Sequence, residues 1–124
     1  MAVQVSELAD LLFQAADDEK ADDIVLLDVA DLTIICDYFL ICTGKSLTHV
    51  KAIADGILEN MEERGVVPLN VHAPRDARWI AMDYGGVVVH VFTAEARAFY
   101  DLERLWHKAT VARREVESAP QEAS

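Results

Sequence analysis

Two apolar runs separated by a pair of glycines dominate the pattern of this chain. They are Trp79-Ile80-Ala81-Met82-Asp83-Tyr84 and Val87-Val88-Val89-His90-Val91-Phe92, on either side of Gly85-Gly86. Glycine reaches positive φ without a steric penalty, so the pair predicts a tight two-residue hairpin turn. In that register Tyr84 faces Val87, Met82 faces Val89 and Ile80 faces Val91. Period-two alternation puts all six on one face, uniformly apolar, which reads as core. The other face sets Trp79 beside Phe92, Ala81 beside His90 and Asp83 beside Val88. A large aromatic with a carboxylate and an imidazole suits a surface that meets a partner. It equally suits packing under a helix, since sheets of this class are often covered on both sides. Pattern alone leaves both readings open.

The rest of the chain supplies the remaining elements. Val5, Leu8, Ala9, Leu12, Ala15 and Ala16 recur at helical spacing and predict a helix over 6–19, with Ser6 as its cap. Ile24 to Val29 is a continuous apolar run typical of a buried strand. Leu32-Thr33-Ile34-Ile35 fits either a strand extension or an irregular turn. Tyr38 to Thr43 predicts a second strand, ended by Gly44. Ser46 then caps a long helix to about Arg64, with Val50, Ile53, Ala54, Ile57, Leu58 and Met61 as its stripe and Gly65 as its stop. Gly56 inside that helix costs about 1 kcal/mol against alanine and suits close packing on the sheet. Val66 to Val71 predicts a short third strand, which Pro68 confines to an edge or a start. Thr93 caps a last helix whose stripe is Phe99, Leu102, Leu105 and Trp106, with Arg97 and Asp101 as a weak pair. Beyond Ala109 the pattern fades. The expectation is therefore one domain over 1–109, an α/β fold with a mixed sheet flanked by helices, and a disordered tail over 110–124.

Charge narrows the class of partner. The 124 residues carry a formal net charge of −11, and residues 1–40 hold ten acids against the single base Lys20. Such a chain repels nucleic-acid phosphates and favours a basic protein partner, although acids also serve solubility. No apolar run approaches the roughly 20 residues of a membrane span, and the start lacks the pattern of a signal peptide, so the expected location is the cytoplasm. Cys36 and Cys42 flank or lie within a predicted strand, too far apart for a disulfide if the segment is extended, and are expected as packed thiols.

Candidate chemistry is thin. Thr43-Gly44-Lys45-Ser46 sits where a phosphate-binding loop would end, but Phe39 stands where that loop needs its first glycine. A helix amino end there could attract one anion. Asp28 closes a strand, a plausible metal position, yet Asp31 and Asp37 are not spaced to share its strand face, and Asp83 joins them only if the fold brings it near. His49, His72, His90 and His107 are scattered, with no nucleophile signature beside them. No cofactor or metal site is expected.

Several blocks together resemble the Iojap family, the ribosomal silencing factors. They are Leu27-Asp28-Val29, Asp37 to Gly44 (DYFLICTG), His49 to Asp55 (HVKAIAD), Asp83 to Phe92 (DYGGVVVHVF) and Phe99 to Trp106 (FYDLERLW). The resemblance implies a nucleotidyltransferase-like fold without a working catalytic set, hence a protein that is not an enzyme. It implies binding to the large ribosomal subunit through ribosomal protein fourteen, which blocks joining of the small subunit and represses translation when nutrients are scarce. It implies a partner surface at Trp79, with Asp83, Tyr84 and His90 in the matching block, and leaves a homodimer open. A magnesium-dependent nucleotidyltransferase, with Asp28 and Gly44 to Ser46 near a nucleotide, is the alternative of another class. A dimeric structural module without ribosome contact is a third.

Overall fold

The computed structural model describes residues 4–114. Its elements run α1 (Val5–Asp18), β1 (Asp22–Asp28), β2 (Tyr38–Gly44), α2 (Leu47–Glu63), β3 (Asn70–His72), β4 (Trp79–Asp83), β5 (Val87–Thr93), α3 (Ala94–Tyr100), α4 (Leu102–Leu105) and β6 (Thr110–Arg114). The strands form one mixed sheet in the order β3-β4-β5-β2-β1-β6. β2 and β5 are parallel, and the other neighbours are antiparallel. The α/β expectation, a mixed sheet flanked by helices, therefore holds.

The hairpin has the register read from its alternation: Trp79 pairs with Phe92, Ala81 with His90 and Asp83 with Val88. The Tyr84 amide donates to the Val87 carbonyl at 2.9 Å. Gly85 takes φ 90°, a left-handed value needed at the first central position of a type II′ turn.

Alternation along the strands builds two cores. On one side Leu26, Leu40, Cys42, Ile80, Met82, Val87, Val89 and Val91 pack against Leu8, Leu12 and Phe13 of α1 and Val50, Ile53, Ile57 and Met61 of α2. On the other, Val25, Leu27, Phe39, Ile41 and Phe92 meet Ala96 of α3, with Trp79, Leu102, Trp106 and Ala109 packed around them. Both cysteines are buried thiols, as expected. Ser46 caps α2 by accepting the His49 amide at 3.1 Å.

Gly44 is fixed by close approach. A Cβ there would lie 2.8 Å from both Cγ2 and the backbone nitrogen of Val50. The first turn of α2 thus rests directly on the end of β2, and backbone cannot yield as a flexible side chain can. Gly44→Ala is expected to lower stability by about 1–3 kcal/mol, read from the urea midpoint.

Several expectations need correction. Thr110–Arg114 is not a disordered tail: it pairs antiparallel with β1, and Arg113 lies 3.9 Å over the Phe13 ring. All five of its residues are exposed, so no hydrophobic alternation marks it in sequence; its backbone instead covers the edge of β1. The remainder of that tail, 115–124, lies outside the described residues. The last helix breaks at Asp101, which takes φ 49°. The break turns Leu102 and Trp106 into the second core but leaves Phe99 and Leu105 exposed. Arg97 pairs with Glu103 rather than Asp101. α1 starts from Gln4 without a side-chain cap, so Ser6 does not cap it. Gly56 faces the Glu19 side chain, not the sheet. β3 shrinks to Asn70–His72 because the Val66 amide donates back to Met61 and Pro68 has no amide to give.

Candidate partner-binding face

Trp79 opens β4 and lies half-buried at the margin of the second core. Its ring stacks on Phe92 at 5.0 Å between centroids and lies 4.6 Å from Tyr100. Its indole Nε1–H donates to Nδ1 of His90 at 3.0 Å. That bond sets the tautomer: Nδ1 is the acceptor, so the neutral ring carries its proton on Nε2. Nε2 is buried and has no protein partner among the described residues. Phe39 meets the same imidazole edge-on at 5.3 Å and touches Trp106 at 5.2 Å. The indole is thus gripped by a ring beneath, a ring beside and a hydrogen bond at its polar edge. A preset aromatic loses little entropy when something closes over it.

Beside the indole runs an open groove of about 640 Å³. Its lining includes Arg78, Trp79, Phe99 and Tyr100 along with the acids Asp76 and Glu95. Phe99 is 81% exposed, unusual for a ring of that size. The arrangement offers apolar rings edged by the Asp76–Arg78 ion pair and by Glu95.

The four residues expected at the partner surface do not share one place. Trp79 and His90 stand together. Asp83 lies on the same face but at the other end of β4, where its carboxylate accepts the Gly85 amide at 2.8 Å. It stabilises the turn. Tyr84 belongs to the opposite face: it is buried in the core beneath α1 and α2, which corrects its expected place at the surface. Its hydroxyl has no partner among the described residues, and burial pushes it up to about 12. The sequence pattern had already put Tyr84 on the apolar face, and the fold bears out the alternation.

Burial pulls the His90 imidazole down to about 4. The unfolded chain therefore binds a proton that the folded chain refuses between about pH 6.5 and 4. The associated stability is complete above pH 6.5 and falls as pH drops through that window, by about 3 kcal/mol in the limit. Urea midpoints at pH 7, 5.5 and 4.5 should decline for the wild type. The decline should flatten in His90→Gln, which has no proton to take up.

The alternative sites are differently employed. At the start of α2, the Lys45 amide donates to Nδ1 of His49 at 2.9 Å and the His49 amide to Ser46 Oγ. Two of the amides at this helix start, those of Lys45 and His49, therefore already have partners. His49 Nε2 also reaches the Glu19 carbonyl at 3.1 Å, tying this junction to α1. Lys45 pairs with Asp22 at 3.0 Å. Asp28 accepts the Ala30 amide at 3.1 Å. Among the described residues, no three His, Cys, Asp or Glu side chains gather closely enough to hold a metal ion. No described helix is long and apolar enough to cross a membrane.

Sequence reasoning paired Arg97 with Asp101 and missed its long-range contacts. From α3 its guanidinium donates to both Glu103 oxygens (2.9 and 3.1 Å), to the Asp23 carbonyl (2.7 Å) and to Thr43 Oγ1 (2.8 Å). It clamps α3 and α4 to the ends of β1 and β2, on the margin of the aromatic face. No local spacing announces a contact between residues 74 apart.

Comparison with known proteins adds a lineage to this geometry. A family model described as "Ribosomal silencing factor during starvation" matches residues 2–124. The ribosomal silencing factor RsfS of Bacillus subtilis is 43% identical over 98 residues, covering 79% of this chain and 83% of the relative. A crystal structure of a Chromobacterium violaceum protein superposes with a TM-score of 0.81 at 33% identity, over 90% of this chain and 94% of that one. One from Bacillus halodurans gives 0.74 at 40% identity, over 82% and 94%.

Proposed function

The chain belongs to the family of ribosomal silencing factors, and from that membership we propose that it docks on the large ribosomal subunit through ribosomal protein fourteen. Bound there, it excludes the small subunit by occupying the shared surface and so represses translation under nutrient limitation. The mechanism is steric. It needs no covalent step and no cofactor, and it operates in the cytoplasm, where subunits meet. Trp79 is the contact residue. His90 positions it, and Asp83 holds the turn of the hairpin that presents it.

The observation that carries this reading is the preset indole at the lip of an open aromatic groove. Binding energy concentrates in such aromatic anchors, seated beside a pocket and ringed by contacts that exclude water. Charge supports the choice of a protein contact: a chain at −11 is repelled by bare RNA and drawn to a basic protein. A second copy docked on the same face would compete with the ribosome.

Light scattering of mixed subunits tests the proposal. Saturating protein should suppress association of small and large subunits while leaving preformed large subunits intact. Normal association in its presence would overturn the steric mechanism.

A further inference from the structure

The loop between β1 and β2 turns apolar side chains outward where the strands on both sides turn them in. Ile34 is fully exposed, Ile35 is 74% exposed and Leu32 is 42% exposed. Isolated exposed aliphatics are common; three within four positions on an ordered loop are a patch. The loop is tightly held. The Val29 amide donates to the Asp37 carbonyl (2.9 Å), and the Leu32 and Thr33 amides to the Val29 carbonyl (2.9 and 3.1 Å). The Ile35 amide reaches Thr33 Oγ1 (3.2 Å), and the Asp37 amide the Gly86 carbonyl (2.9 Å). Val29 and Cys36 plug its two ends into the second core. The outward set of Ile34 and Ile35 is therefore built into the backbone.

The rim of the patch is acidic. Asp31 and Asp37 are exposed within the loop, and Asp28 stands at its root. Asp37 and Asp83 both act on the neighbouring Cys36 thiol, which burial and these charges push up to about 11. Among the described residues, no ion pair neutralises Asp28, Asp31, Asp37 or Asp83. The sequence holds no Lys or Arg between Lys20 and Lys45. An apolar knob in a field of unpaired carboxylates is complementary to one kind of surface: a protein cleft lined by aliphatic groups and edged by Lys or Arg. The same carboxylates repel RNA phosphates.

We infer that this loop is a second docking point, separate from Trp79, which seats Ile34 and Ile35 in an apolar cleft of a basic protein on the large subunit. The inference rests on the ribosomal reading above and adds a contact to it. Phe92, paired with Trp79, lies beside Thr43 near one end of β2, whereas the loop joins the other end at Tyr38. Five strand residues along β2 and two strand spacings across the sheet, together roughly 20 Å, separate the two points, a span that one partner surface of ordinary interface size can meet. Two linked contacts would hold the protein in one orientation on the subunit.

The test measures binding of the full chain to purified large subunits for wild type, Trp79→Ala and the double variant Ile34→Ser/Ile35→Ser. The double variant should bind at least about tenfold more weakly with an unchanged melting temperature, because both side chains are exposed. Asp31→Asn should bind with a shallower dependence on salt. A photo-crosslinking residue at position 34 should capture a basic ribosomal protein. Equal binding by wild type and double variant overturns the inference while leaving the function standing. Capture of ribosomal RNA instead overturns it, as does a double variant altered only in self-association. Absence of binding by the wild type overturns the function and this contact together.

Discussion

Trp79→Ala should weaken binding to purified large subunits by about hundredfold or more, while the circular dichroism spectrum stays that of the wild type. The size of the effect follows from what the indole does. It stands at the lip of the groove, and three neighbours hold it in place before any partner arrives. Truncating such an anchor commonly costs 2–4 kcal/mol, and about 2.7 kcal/mol is hundredfold in affinity. The fold should survive because Trp79 sits at the margin of the second core, with Phe92 filling the centre. Trp79→Phe separates the contributions. It keeps a ring over Phe92 but removes the donor to His90, so an intermediate loss is expected. Co-sedimentation over a concentration series checks both variants. Full binding by Trp79→Ala would remove this face from the interface.

The second large effect concerns Arg97, and it is read in stability. Arg97→Met should lower unfolding free energy by about 3 kcal/mol, because it strands Glu103 and leaves the Asp23 carbonyl and Thr43 hydroxyl without their donor. Loss should appear first as faster amide exchange in α3 and α4, which this side chain ties to the sheet. Tyr100 lies in that segment, so binding should weaken with it. The pH dependence carries a signature. The hydrogen bond from Arg97 holds the Glu103 carboxyl below its ordinary value, against the opposing effect of burial. A carboxyl depressed in the folded state contributes stability that is complete above the unfolded value of about 4.5 and is lost as pH falls through the folded one. Wild type should therefore lose more stability than Glu103→Gln on acidification below about pH 4.5. Urea midpoints across that range check the slope; identical slopes would show that the pair is not coupled to folding.

Strand alternation made the hairpin legible because two faces of different composition admit a single register. The capped start of α2 was legible for a similar reason: Ser46 and its amide partner lie three residues apart. What stayed hidden was either non-local or unpatterned. β6 has no buried side chain to mark its period. The break at Asp101 accompanies long-range contacts of Arg97, which reaches to residues 23 and 43. The same break decided that Phe99 faces solvent, although its spacing assigned it to a buried stripe. Among the expected surface residues, Tyr84 was named by its sequence block, whereas its parity along the strand placed it in the core.

By itself, the sequence determined the mixed α/β class, the hairpin with its Trp79–Phe92 and Ala81–His90 pairs, and the strong acidity that favours a basic partner. These depend on short-range geometry and on composition, both of which are present in the linear string. The tertiary structure alone decided that the second sheet face is only partly covered, that His90 is spent on orienting Trp79, and that Ile34 and Ile35 point outward. Each of these depends on chain segments far apart in sequence competing for the same space, and period and propensity carry no record of that competition.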